Sequence, residues 1–292
     1  MTLADVLRQT SLIAVTGRLH GLGNRVRVVL GARSLARLEE RRFFYTWHTG
    51  ADFGSRFDEL WDIEETQVSR TTARLLSVRY PWRDEKLAWI DTRARRERVW
   101  QIKTPHSLVL PTAATPWESE LQALHPAKLI GAHVHDFFDA HLAGDPYIGV
   151  MVRAHQNSHP VTLAESPLSW YVERMLQLRR LHPGIRFFVS ADTREVQDTI
   201  VDTVPGSVAL IDKGGYNTRA GLSSAVIDLY LLASAGHLLA PHYSSFPELA
   251  QKLAGPELAL ETSHSDPETA VRAESGLMQV DDPTAPHVRH RA

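Results

Sequence analysis

The chain has 292 residues, of which 43% are hydrophobic and 23% charged, the balance of an ordinary folded protein large enough for two modest units. A formal net charge of −2 excludes a global field that would draw it to nucleic acid or to an anionic membrane. The absence of cysteine excludes disulfides, thiolate catalysis and zinc sites built on Cys.

No run approaches the roughly 20 apolar residues that a membrane span needs. The segment Met1 to Leu12 carries Asp5 and Arg8 without an apolar core, so it does not read as a signal peptide. The expectation is a cytoplasmic protein with no membrane span and no nucleic-acid partner.

Leu12–Val15 is a short apolar strand that runs into the turn-rich segment 16–24. From Asn24 to about Glu40 apolar positions recur at helical spacing, and Arg42–Trp47 reads as an aromatic-rich strand. Strand, glycine-rich turn, helix, strand is a βαβ unit. Residues 65–125 alternate short apolar runs with Arg clusters and do not resolve into elements. Pro126–His141 is helical in part, and Gly144-Asp145-Pro146 suggests a boundary between domains 1–145 and 146–260.

The second half is better patterned. Strands are expected at Tyr147–Val152, Ile185–Ser190, Val208–Ile211 and His237–Ala240. Helices are expected at Pro167–Leu181, Thr193–Val201, Ser223–Ala235 and from the Ser245 region to Ala254. Such alternation gives a parallel sheet with helices on both faces, and ligands bind outside the carboxyl ends of its strands. Residues 261–292 are poor in large apolar side chains and read as a disordered tail.

Several groups fall where chemistry is expected. Gly21-Leu22-Gly23-Asn24 opens a helix, and its amides can approach a phosphate or sugar closely; equally, it is a tight turn with Asn24 as N-cap. Arg153 ends an apolar strand, where a diphosphate or a structural salt bridge would satisfy its fork. Asp192 follows the next strand and is a candidate N-cap. Asp228 lies inside an apolar helix, where a carboxylate needs donors; the paired N–H groups of a guanine edge, buried backbone or an Arg would supply them. Ser245-Phe246-Pro247-Glu248 fits a capping box and leaves Ser244 and a helix N-terminus open to an anion. The cluster His133, His135, Asp136, Asp139 and His141 has metal-binding residue types, but no partner motif supports it, and no metal is expected.

The segments HGLGNRVRVVLGARSLA, FFYTWHTGADFGSRFDELW, IGVMVRAHQNSH, ESPLSWYVERM, RFFVSADT and SSAVIDLYLLASAGHLLAPHYSSFPELA occur in this order. Together they resemble the GDP-fucose-dependent fucosyltransferase superfamily, over about residues 12 to 255. That group includes the α1,6-fucosyltransferases of nodulation and N-glycan cores and the protein O-fucosyltransferases.

The resemblance implies a GT-B fold, in which two Rossmann-like domains face a cleft: an acceptor-side domain (1–145) and a nucleotide-sugar domain (146–260). It also implies metal-independent inverting transfer from a GDP-sugar to a hydroxyl of a glycan, peptide or small molecule, with no cofactor. By the same match Arg153 would contact the β-phosphate and the leaving oxygen. Asp192 would follow the family's aspartate, Asp228 would read guanine, and Ser244, Ser245 and Phe246 would line the nucleotide. Gly23 and Asn24 would belong to the loop over the donor.

The family's His-x-Arg strand end is Met151-Val152-Arg153 here. Ala154 replaces the second arginine of the α1,6 members, and Gln156 replaces their acidic residue. The acceptor base is left open among His155, His159 and Glu165. Three other readings remain: transfer of another GDP-linked sugar, a non-catalytic GDP-sugar-binding protein, and an unrelated α/β protein in which Arg153 and Asp228 are structural.

Overall fold

The computed structural model describes residues 3–83, 92–156, 158–266 and 277–291. They divide into two units, residues 1–124 with Asn217–Arg219 and residues 125–216 with 220–292.

The first unit begins with α1 (Leu3–Leu7), β1 (Ser11–Val15), α2 (Leu22–Leu38) and β2 (Arg42–Thr46). It continues through a 3-10 turn at Phe57–Glu59, α3 (Arg70–Ser77), β3 (Trp82–Arg83), α4 (Thr92–Arg96), β4 (Val99–Ile102) and α5 (Trp117–Gln122). Its sheet is parallel in the order β2-β1-β4-β3, with Ser11 opposite both Arg42 and Val99. The expected βαβ unit is therefore β1-α2-β2. One core joins Val6, Ile13, Val15 and Phe44 to Ala73 and Leu76 of α3. Trp47, Phe53, Phe57 and Trp61 form a chain of aromatic contacts nearby.

The second unit comprises α6 (Lys128–His141), β5 (Tyr147–Val152), α7 (Pro160–Glu165), α8 (Leu168–Leu181), β6 (Arg186–Ala191), α9 (Arg194–Thr203) and β7 (Ser207–Val208). After it come α10 (Arg219–Ala233), β8 (His237–Leu239), α11 (Ser245–Ala254), β9 (Ala259–Glu261), β10 (Met278–Gln279) and β11 (His290–Arg291). The main sheet is parallel in the order β7-β6-β5-β8-β9, which is the Rossmann order 3-2-1-4-5.

Alternation along β6 sorts its side chains between two faces. Phe187 and Val189 join a core with Tyr171, Met175 and Leu178 of α8 and Ile200 of α9. On the other face Phe188 packs edge-on against Phe137 of α6, and Ser190 meets Asp228 of α10. Helix α10 is buried almost all round, as its apolar sequence requires.

The domain boundary differs from the expectation near residue 145. Helix α6 belongs to the second unit, because Phe137 and Phe138 pack on Phe188 and Tyr147 of its sheet. The tail differs too. Glu261 is buried in β9, and β10 pairs antiparallel with β11. Val280 is buried, and Arg289 donates to the carbonyls of Ala233, Ala235 and Ala254. A few well-placed side chains thus hold 277–291, which composition alone does not register. The disorder expected for 267–276 and Ala292 lies outside the described residues, as does part of the unpatterned stretch, 84–91.

Candidate active site

Three loops leave the carboxyl edge of the second sheet: 153–156 with 158–159 after β5, 192–193 after β6 and 240–244 after β8. Asp192 organises the first of them. Its Oδ1 accepts the amides of Ala154 (2.7 Å) and His155 (2.9 Å), while Oδ2 receives Arg153 Nη1 and Ser158 Oγ, both at 3.2 Å. Thr193, not Asp192, is the N-cap of α9, and its side chain makes no capping bond. Arg153 is one-quarter exposed and Asp192 nearly buried, so the guanidinium is aimed by its partner yet still open to solvent.

The loop after β8 is held to the α7–α8 junction. Thr162 Oγ1 donates to Tyr243 O (2.9 Å), and the His242 amide donates to Ser166 Oγ (2.8 Å). Tyr243 has φ of 60°, a left-handed conformation that a bulky side chain adopts only when its surroundings impose it. Ser244 is the N-cap of α11, Ser245 its first residue, and Phe246 is buried behind them. The expected capping box of Ser245 and Glu248 is not formed, since Ser245 is the first helical residue and the N-cap, Ser244, makes no side-chain capping bond. The amides of Ser245 and Phe246 therefore remain available to an anion, Pro247 having none.

Asp228 is 5% exposed. Its Oδ2 accepts Ser190 Oγ at 2.6 Å and lies 2.7 Å from Lys213 Nζ, while Oδ1 has no hydrogen-bond partner. Burial pushes its pKa up, opposed by the Lys213 ammonium and the hydroxyl of Ser190. One oxygen, not two, thus lacks a donor, and it is buried. Lys213 was missed in the sequence because it lies in the irregular segment after β7, with no apolar pattern to fix its direction.

Of the candidate bases, His155 stacks on Tyr216 at 4.5 Å and 6°. His159 caps α7, accepting the Val161 amide at 3.2 Å. Glu165 Oε2 lies 2.9 Å from His264 Nε2, and His264 also contacts the ring of His242. His264 was overlooked because it lies in the segment read as a tail. Among the described residues, no three His, Cys, Asp or Glu side chains are grouped to hold a metal; His135 of the α6 cluster faces Asp282 at 3.6 Å.

Gly23 and Asn24 lie in the first unit, in the first turn of α2. The N-cap is Gly21 rather than Asn24, whose Oδ1 is buried without a hydrogen-bond partner. The preceding loop is pinned by a residue that sequence reasoning passed over. Arg25 is fully buried and donates to the carbonyls of His20 (2.7 Å), His48 (2.6 Å) and Arg18 (3.0 Å). Its guanidinium lies 3.8 Å from the Phe53 ring centre, and burial lowers its pKa to about 10. The available signal was an arginine standing between Asn24 and Val26 at the start of an apolar helix.

No protein-family model matches the chain, and no curated protein matches it significantly. Solved structures do. Fucosyltransferase NodZ from Bradyrhizobium superposes with a TM-score of 0.58 at 18% identity, over 83% of this chain and 93% of that one. POFUT1 in complex with GDP gives 0.56 at 12% identity, covering 87% and 98%. A mutant of Arabidopsis thaliana FUT1 in complex with GDP gives 0.60 at 14%, covering 99% and 77%. NodZ, an α1,6-fucosyltransferase, has also been co-crystallised with GDP and soaked with GDP-fucose. At these identities the likeness is one of fold: two parallel-sheet α/β units of the GT-B type found in these fucosyltransferases.

Proposed function

We propose that the protein is a glycosyltransferase that moves fucose, or a related sugar, from a GDP-sugar to a hydroxyl of a glycan, peptide or small-molecule acceptor. The observation that carries this reading is the carboxyl edge of the second sheet. There Arg153 is oriented by Asp192, and the N-terminus of α11 is uncapped. Asp228, buried in the same unit, keeps one acceptor unfilled. Proteins of the same fold have been solved in complex with GDP, which supports a single nucleotide ligand for these groups.

In the proposed reaction the acceptor oxygen bonds the anomeric carbon, with inversion, as the bond to the diphosphate oxygen breaks. Negative charge grows on the departing GDP. Arg153 and the first amides of α11 are placed to stabilise it without a metal ion, and preorganised donors of this kind carry much of an enzyme's rate enhancement. Asp192 acts through Arg153 and the loop amides rather than on substrate. Asp228 Oδ1 receives a guanine N–H. The acceptor proton passes to the Glu165–His264 pair, where the carboxylate orients the imidazole as general bases require.

Release of GDP from GDP-fucose, with and without acceptor sugars, tests the reading. The wild type should release GDP, and Arg153→Lys should lower kcat by about 100-fold, the loss typical of a single transition-state donor. Turnover unchanged in Arg153→Lys would remove Arg153 from the chemistry. GDP binding without any turnover would favour a GDP-sugar-binding protein.

A further inference from the structure

A cavity of about 620 Å³ opens in the second unit between α6, α9, α10 and the segment that follows β7. Its volume falls within the roughly 300–1,000 Å³ of small-molecule sites. None of Arg153, Asp192, Asp228 and Ser244 lines it. It exists because β7 has only two residues, so the chain leaves the sheet early and uncovers the space beside β6.

The walls are chiefly apolar, including Phe137, Val201, Val208, Leu210 and Ile227. The carboxylates in the lining are Asp136, Asp198 and Asp212, joined by the imidazoles of His133 and His141 and by no Lys or Arg, so the lining is net acidic wherever the histidines are neutral. Arg194 pairs with Asp198 at 3.3 Å, which leaves Asp136 and Asp212, both exposed, as the carboxylates that face an entering group. Gln197, 4% exposed, also lines the space. Its amide nitrogen donates to Leu210 O at 2.8 Å, which fixes the amide's orientation and leaves Oε1 buried without a partner. A buried acceptor lacking a donor is destabilising, and a ligand N–H beside it relieves that.

We propose that this cavity binds a small amphipathic amine: an apolar ring against Phe137 and Ile227, an N–H toward Gln197, and an ammonium toward Asp136 and Asp212. The site is independent of the glycosyltransferase reading.

Tryptamine, tryptophol and indole-3-acetate share a ring and an N–H and differ in charge, so calorimetric titration of the full chain with each of them separates the contributions. Tryptamine should bind saturably and about tenfold or more tighter than indole-3-acetate, because the lining carboxylates attract one and repel the other. The double variant Asp136→Asn/Asp212→Asn changes only exposed side chains. It should keep its melting temperature and lose most of that preference. Gln197→Met should weaken all three ligands. Saturating GDP should leave tryptamine binding unchanged. Equal affinity for the three indoles, no saturable tryptamine binding, a preference untouched in the double variant, or competition by GDP would each overturn the proposal.

Discussion

Removing the Arg25 guanidinium would strip donors from three carbonyls on either side of the glycine-rich turn, those of Arg18, His20 and His48. Arg25→Ala should therefore destabilise by about 3–5 kcal/mol, as loss of a buried polar network does. Arg25→Lys should not restore it, because an ammonium lacks the planar fork. Equilibrium urea unfolding decides this, and a loss below about 1 kcal/mol would show the network to be dispensable.

Glu261 makes a different case. Burial alone pushes its carboxyl up, but hydrogen bonds from His237 and Arg174 outweigh that and hold it below its ordinary value of 4.5. A depressed carboxyl contributes stability that is present above its unfolded value and lost as pH falls through the folded one. The advantage of wild type over Glu261→Gln should thus be full above pH 4.5 and narrow below it. Melting temperatures across that range are the check, and a gap independent of pH would refute the assignment. At this scale Asp228 and Arg153 stood out in the sequence because charged residues interrupt apolar runs. Asp192 stood out as well, though as a helix cap and not as the partner of Arg153, and Lys213 did not, since pairing across 15 or 39 positions leaves no local pattern.

Among the elements, α11 has a serine N-cap that makes no capping bond. Ser244→Ala should therefore change stability by less than about 0.5 kcal/mol, against about 1 for a working cap. The same variant should weaken GDP binding if the first turn receives the diphosphate. Thermal unfolding and titration of one protein sample separate the two effects. The tail ribbon is the converse case. Arg289→Ala removes donors from three carbonyls and should lower the melting temperature, whereas Arg291→Ala, exposed in β11, should not.

Strands β5, β6 and β8 and helices α8 to α11 of the second unit were legible to within a few residues, because each carries an apolar run or an amphipathic face, whereas α7, β9, β10 and β11 were not read as elements. Strand β4 was not. It has four residues, and Gln101 sits buried within it, donating to Tyr80 O and accepting from Trp82 Nε1. A polar side chain in a central strand erases the alternation on which strand recognition depends. β7 was overextended for a related reason, since Ala209–Ile211 is apolar yet leaves the sheet to wall a cavity.

For the whole molecule, strand–helix alternation reached a βαβ unit in the first half and a parallel sheet in the second, while the pair of Rossmann-like units came from the ordered motifs and their resemblance to fucosyltransferases, the fold found in NodZ, POFUT1 and FUT1. The boundary was misplaced because Gly144-Asp145-Pro146 is a turn inside a unit, between α6 and β5, and turn residues look alike wherever they occur. The tail was misjudged because a few anchors, Val280 and Arg289 chief among them, do the work of a core.

On the proposed reading, the second unit holds a guanine nucleotide through Asp228. Thermal stability with GDP, UDP and ADP, in wild type and Asp228→Asn, tests it most directly. A nucleotide held at about 100 times its dissociation constant adds ~2.7 kcal/mol of stability. GDP alone should give this shift, and Asp228→Asn should abolish it. An equal shift with UDP, or none with GDP, would contradict it.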